Sequence, residues 1–416
     1  MNRYDVAVIG GGPAGSMAAI RAGELGARVI VLERNETLGK KLLLTGNGRC
    51  NVTNNAPIEV FIKKFGPHGR FLRHAFHTFS NQDLITLLES NGCRLKVEGE
   101  GRVFPVSDKA RSILDCLNRL CQNADVTLET QSRVGAVKAK KNGFELAVTG
   151  HERIFSRTAI IATGGCSYPQ TGSTGDGLRL ARTLGHTVTA LHPGLVPLFT
   201  KESWVQEVQG VTLKNIHLYV GTGMMKFSSG PGDLLFTHFG VSGPLILDAS
   251  SIIIAHIDER GSLPLAIDCI PGLNREELDR RLVRDFAARG GRTLTAVLRE
   301  FVPRKLIPLV IRLGEVDPGK KTDTVSRAER LRLIRALKGL KLTLVGSLGI
   351  DNAMVTSGGV KTSEIDRQTM ESKREPGIYF CGEVIDGCAP SGGYNLQQAF
   401  STGYCAGEHA AFRAQK

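Results

Sequence analysis

Sulfur, acid and long apolar runs are what this chain has least of. Its nine cysteines are odd in number and include no C-x-x-C pair, which excludes a disulfide framework and a zinc site and implies free thiols in a reducing compartment. No apolar run reaches the ~18 residues that a membrane-spanning helix needs. The first strand pattern starts at about Tyr4, leaving no room for a signal peptide ahead of it. A cytoplasmic protein with no membrane partner and no metal is expected. Acids are in deficit, 40 against 53 Lys and Arg, and the formal charge is +13. Much of the imbalance falls between residues 275 and 341, where 18 Lys/Arg face 9 Asp/Glu. Such a field attracts polyanions, nucleic acid first and anionic membrane second, unless it is only a set of solvated helix faces.

Glycine, by contrast, is abundant at 49 residues, and it clusters. Residues 5–33, DVAVIGGGPAGSMAAIRAGELGARVIVLE, read as strand, glycine turn, helix and second strand. Gly10, Gly12 and Gly15 have the G-x-G-x-x-G spacing: the first for a tight turn, the second for close approach of a diphosphate, the third for helix–strand packing. Pro13 and Ala14 open the helix, whose free N–H groups suit an anion. Glu33 ends the second strand, where a carboxylate can accept both hydroxyls of an adenosine ribose, with Arg34 beside it.

Residues 35–54 then form a loop far longer than an ordinary connection, which favours a functional one. Lys40, Lys41 and Arg49 can meet phosphates or a substrate anion, and Thr45, Gly46 and Gly48 let backbone lie against a flat ring. Cys50 beside Arg49 reads either as a low-pKa acid or nucleophile or as a packed thiol. Helical patterns follow over 70–79, 81–90 and 110–121, then a β-meander in which 153–155 and 158–162 read as separate strands and Val134 lies near the cofactor. The last strand delivers Thr163, Gly164 and Gly165, and 171–177 opens a helix with another N-terminus available to an anion. From about His186 short β runs suggest a barrel, with His238 at a strand end as a proton donor or a structural residue. Helices follow over 274–288, 293–301, 303–313 and 326–337; the last sets Ala328, Leu331, Ile334 and Leu337 against Arg327, Arg330, Arg332, Arg335 and Lys338. At the C-terminal end a buried strand delivers Gly382 and Glu383, for a ribityl hydroxyl. Gly393 opens a helix beginning Tyr394-Asn395, whose N-terminus can face the flavin N1–C2=O edge.

Taken together, GGGPAG (10–15), GKKLLLTGNGRCNVTN (39–54), ATGG (162–165), LLFTHFGVSGP (234–244), VTSGGV (355–360) and GIYFCGEVIDGCAPSGGYN (377–395) resemble the BaiN/RdsA-type family, also called YhiN-like or aminoacetone-oxidase-like flavoproteins, over nearly the whole chain. The resemblance implies an α/β, Rossmann-like FAD domain of the two-dinucleotide-binding type, residues 1–190 with 346–416. An insert interrupts it, a β-barrel over 191–272 with 342–346 and a basic helical subdomain over 273–341. FAD would be non-covalent, since no His or Cys lies in a flavin-linkage context. No second G-x-G-x-x-G precedes a βα unit, so NADPH or NADH would visit as a transient reductant. Family activities include reduction of uridine in large-subunit ribosomal RNA, reduction of steroid enones and oxidation of small amines. Cys50, His238 and Arg49 are the candidate catalytic residues. The basic insert favours RNA, gripped by Arg327, Arg330, Arg335 and Lys338, over a small substrate or a non-catalytic RNA-binding assembly factor. Oligomeric state is not encoded in any of these patterns.

Overall fold

The computed structural model describes residues 3–221 and 227–416. They divide into two compact units, residues 1–192 with 350–416, and residues 193–349.

In the first unit β1 (Arg3–Ile9) leads through α1 (Pro13–Glu24) to β2 (Val29–Leu32). There follow β3 (Thr53–Asn54), α2 (Ile58–Lys64), α3 (Gly69–Thr78), α4 (Asn81–Ser90), β4 (Leu95–Val97), β5 (Arg102–Pro105) and α5 (Ala110–Asn123). Then come β6 (Thr127–Glu129), β7 (Val134–Lys140), β8 (Gly143–Val148), β9 (Ile154–Ile161) and α6 (Asp176–Thr183). The main sheet has the order β6-β2-β1-β9-β8-β7. Its centre is parallel, with Val6 opposite Val29 and Thr158. Val6, Ala7, Val8, Val29, Ile30 and Val31 are buried, as a parallel sheet covered on both faces requires. The two strands expected over 153–162 are one: β9 runs unbroken because β1 pairs with it from Phe155 to Ile161, while β8 takes the first part of its other edge and the C-terminal strand Ile378–Phe380 the last.

A short β10 (His192–Gly194) comes next, and the second unit then holds β11 (Leu198–Thr200), β12 (Thr212–Val220), β13 (Phe227–Phe236), β14 (Gly240–Ser242), α7 (Pro244–Arg260), β15 (Leu263–Asp268) and β16 (Leu340–Ser347). The strands close as β11-β14-β13-β12-β15-β16, and Leu218, Val220, Leu234, Phe236, Leu265, Ile267, Leu342 and Leu344 are buried. Four helices, α8 (Arg275–Ala288), α9 (Leu294–Leu298), α10 (Ile307–Leu313) and α11 (Arg327–Lys338), stand between β15 and β16. Helix α7 is not among the helices expected from the sequence. Its apolar residues come in runs, Leu245–Leu247 and Ile252–Ala255, so its helical periodicity is weak, but Gly243-Pro244 is a start signal that could have found it.

The chain then returns to the first unit with β17 (Val355–Ser357), β18 (Ile378–Phe380) and α12 (Tyr394–Ala414). Strand β18 adds to β9 in parallel. Helix α12 lies against α1 at backbone distance: a Cβ on Gly403 would stand 2.3 Å from the Ala14 carbonyl oxygen, and one on Gly407 2.2 Å from that of Ala18. Two glycines four residues apart thus fix the C-terminal helix to the helix that opens the chain.

Candidate functional site

The turn from β1 to α1 assigns each glycine a distinct task. Gly10 has φ 103°, which an L side chain rarely adopts, and a Cβ there would meet the Ala162 carbonyl oxygen at 2.7 Å. A Cβ on Gly15 would lie 1.9 Å from the Gly10 carbonyl oxygen, so only glycine lets helix and strand come this close. Gly12 differs: φ is −78° and nothing lies within 4 Å of its missing Cβ. That flank leaves the backbone open to close approach.

Helix α1 has Gly12 as N-cap, no side-chain cap and no acid in its first turn. Helix α12 has the same features, with Gly393 as N-cap. By contrast α4, α8 and α11 each close their N-termini with a capping box, Ser80/Asp83, Asn274/Glu277 and Ser326/Glu329. The α1 and α12 ends, like that of α7, which also starts at a glycine, keep their donors and positive dipole ends without a side-chain cap. A diphosphate at α1 and the pyrimidine edge of a flavin at α12 match that chemistry, so these residues fit FAD.

Side chains from three distant parts of the chain gather at this end of the sheet. Glu33 is buried and accepts from the Gly11 N–H at 2.7 Å, the Asn35 N–H at 2.9 Å and the Asn35 side chain at 2.8 Å. Its two oxygens hold the glycine turn against the end of β2. Lys41 Nζ lies 2.9 Å from Glu383 Oε2 and donates to Ser167 Oγ at 2.7 Å. The Thr356 N–H donates to Glu383 Oε1 at 2.7 Å. Gly164 and Gly165 line the same place; a Cβ on Gly165 would meet Thr356 Oγ1 at 2.2 Å. Ser167 and Thr356 were not singled out from sequence, although Thr356 stands in the VTSGGV block.

Several expected site residues are engaged otherwise. The α6 N-terminus is not free for an anion: Asp176 occupies its first turn and collects Arg133 at 2.7 Å and Arg34 at 3.2 Å. The hydrogen bond from Arg133 holds the Asp176 carboxyl below its ordinary range. Cys50 is fully buried, and burial pushes its thiol up to about 12, so the lowered pKa expected from Arg49 is wrong. Arg49 turns away to pair with Glu98 and Asp108, its guanidinium 4.2 Å from the Phe104 ring centroid. Thr45 donates to the Leu42 carbonyl, and Gly46 follows at φ 56°. Tyr394 is buried edge-on to Phe61, and Asn395 holds the Ala389 backbone through both side-chain atoms. Val134 is buried in β7, and Gly382 turns at φ 74° against Ala14.

In the second unit His238 is exposed in the turn from β13 to β14, edge-on to Phe239. Two of the four expected phosphate grips are internal. Lys338 pairs with Asp268 at 2.6 Å, both nearly buried, and Arg330 reaches Asp279 on α8 at 2.6 Å. Arg327 and Arg335 are exposed. The buried side of α11 is Leu333, Ile334, Ala336 and Leu337, whereas Ala328 and Leu331 face outward. Among the described residues no His, Cys, Asp or Glu group has the arrangement of a metal site, and no helix is long and apolar enough to cross a membrane.

A glycine turn at the start of α1 and a parallel sheet to which β18 from the C-terminal block adds define a Rossmann-type FAD fold. The match to the HI0933-like protein Rossmann domain family covers residues 4–409, and the chain belongs to that family. It is 33% identical to the 3-dehydro-bile acid delta(4,6)-reductase of Clostridium scindens, over 99% of this chain and 100% of that one. It is 31% identical to the ribosomal RNA dihydrouridine synthase of Escherichia coli, over 97% of each. In fold it is similar to a 3-ketosteroid-delta4-(5alpha)-dehydrogenase from Rhodococcus jostii, with a TM-score of 0.53 at 16% identity over 99% of this chain and 97% of the other. The protein is an FAD-dependent oxidoreductase of the family its motifs resemble.

Proposed function

We propose that the protein passes hydride from NAD(P)H, by way of FAD, to a C=C bond conjugated to a carbonyl, and that its substrate is a uridine of large-subunit ribosomal RNA. Both full-length relatives bear names that fit this one reaction, so their identities do not choose between nucleotide and steroid. The charge of the chain carries the choice: each phosphate neutralised adds affinity for RNA and none for a small enone. Although Arg330 and Lys338 are taken up internally, Arg280, Arg284, Arg299, Arg327 and Arg335 remain exposed on α8–α11 and its connections.

Bound FAD supplies a hydride donor that nicotinamide can reload. The chain's own residues do the rest. The α1 N-terminus and Gly12 would hold the diphosphate, Glu33 and Glu383 would take ribose and ribityl hydroxyls, and the α12 N-terminus would stabilise negative charge at the pyrimidine edge. Hydride addition at one carbon leaves an enolate, and an acid close to the other must protonate it. With Cys50 buried, His238 is the candidate left for that acid. With no second G-x-G-x-x-G before a βα unit in the sequence, nicotinamide would visit the flavin face transiently.

The test is anaerobic reduction by NADPH followed by reoxidation with uridine-containing ribosomal RNA, a steroid dienone or a small amine-derived acceptor. Fast reoxidation by RNA, with a matching loss of H2 mass on one uridine in a deletion strain, is expected. Reoxidation by the dienone alone favours the small-molecule enzyme.

A further inference from the structure

One strongly charged surface of the first unit plays no part in the site just described. Between Glu59 and Asp83 the chain has no acid, yet it carries Lys63, Lys64, Arg70 and Arg73, with three histidines among them. All four cations are exposed, and none is in an ion pair among the described residues. On α3 the positions 70, 73, 74 and 77 follow the i, i+3, i+4, i+7 rule, so Arg70, Arg73, His74 and His77 share one face while Leu72, Ala75 and Phe76 are buried on the other. This is an amphipathic helix whose polar side is wholly basic.

The patch is joined to the flavin end of the unit. Lys64 Nζ lies 5.8 Å from the ring centroid of Tyr394, the first residue of α12. His68 packs on Gly387, whose φ of 129° and missing Cβ, which would be 2.9 Å from the imidazole Cγ, make room for it; its Nε2 lies 3.9 Å from Asp386. Lys64 and His68, at the junction of α2 and α3, thus carry the basic surface to the loop that ends at the α12 N-terminus.

We infer that the α2–α3 face grips the RNA phosphates flanking the nucleotide that enters the flavin site. This rests on the RNA reading above and deepens it. A base extruded toward a flavin brings its own 5′ and 3′ phosphates to the rim of the site, so compensating charge is needed there and not only on the insert. An anionic membrane fits less well, because no exposed large apolar side chain lies between residues 58 and 78 to enter a bilayer.

The test uses the FAD-loaded full chain and a fluorescein-labelled, uridine-rich single-stranded oligoribonucleotide, with anisotropy read across a salt series. Arg70→Gln/Arg73→Gln and Lys63→Gln/Lys64→Gln should each weaken binding ~10-fold or more at low salt, and the slope of log K against log salt should flatten by ~0.7 for each phosphate no longer neutralised. FAD content checks folding. Wild-type affinity and slope in both double variants would overturn the inference, as would loss of phosphatidylserine-vesicle binding with RNA binding intact. A wild-type protein with no salt-dependent RNA affinity removes both this surface and the RNA reading. One that binds the oligonucleotide through these residues but reduces no uridine of ribosomal RNA keeps the phosphate-binding surface and overturns the RNA reading together with the placing of a nucleotide at the flavin.

Discussion

Lys41 and Glu383, 342 positions apart, meet at 2.9 Å, with Ser167 and the Thr356 N–H completing the shell around the carboxylate. The pair ties the long loop after β2 to the C-terminal block through residues from the middle of the chain. Both side chains are partly exposed, at 24% and 21%, so the pair is expected to contribute only modestly. A double-mutant cycle of Lys41→Met and Glu383→Gln should give a coupling of about 1 kcal/mol in urea unfolding. Strict additivity would mean that the two groups merely lie close.

Gly12 and Gly15 should separate flavin binding from folding. A methyl at Gly15 meets backbone at 1.9 Å, so Gly15→Ala should lower stability by ~3 kcal/mol or more and leave little folded protein. A methyl at Gly12 meets nothing and needs no unusual φ, so Gly12→Ala should melt within a few degrees of the wild-type apoprotein. It should nonetheless lose FAD affinity by ~10-fold or more, because its methyl stands on the face a diphosphate would approach. Equal flavin occupancy in Gly12→Ala and wild type would place the diphosphate elsewhere.

Cys50 should be chemically silent. Burial raises its pKa to about 12, so the thiolate that reacts with alkylating agents is nearly absent below that pH. Native protein treated with iodoacetamide at pH 8 should show no label on Cys50 by peptide mass spectrometry, while the unfolded chain labels fully. Cys50→Ala should keep FAD and reoxidation within ~2-fold, the margin left when no proton-transfer role is removed. Prompt labelling in the native state would mean that the 45–50 segment opens.

The glycine turn, the sheet strands and most helices were legible because each rests on local rules. Gly10 needs positive φ, and the apolar runs of β1, β2 and β9 have the composition of buried parallel strands. What was not legible depends on partners remote in sequence. Arg49 looks like an activator of its neighbour until Glu98 and Asp108 are seen to hold it. Asp176 looks like part of a glycine-rich anion loop until Arg34 and Arg133 converge on it. On α11 the spacing of Ala328 and Leu331 with Ile334 suggested one buried stripe, but packing against β15, β16 and α8 selects Leu333 and Ala336 instead. The approach of Gly403 and Gly407 to α1 was invisible because a glycine gives no sign of which backbone will lie against it.

The basic insert tests the RNA reading most directly, and the structure dictates which residues to change. Lys338 and Asp268 are 9% and 7% exposed and 2.6 Å apart, so Lys338→Met strands a buried carboxylate and should cost ~3–5 kcal/mol of stability, a folding defect uninformative about RNA. Arg330 is compromised likewise by Asp279. Arg327 and Arg335 stand two turns apart on the outer side of α11, where reversal of charge disturbs no ion pair among the described residues. Arg327→Glu/Arg335→Glu should therefore keep the wild-type melting temperature and FAD content. Its log K for ribosomal RNA should show a salt slope flatter by ~0.7–0.9 for each phosphate that goes unneutralised. Normal RNA binding and modification by this variant at physiological salt would make α11 solvated surface and move the small-molecule enzyme to first place.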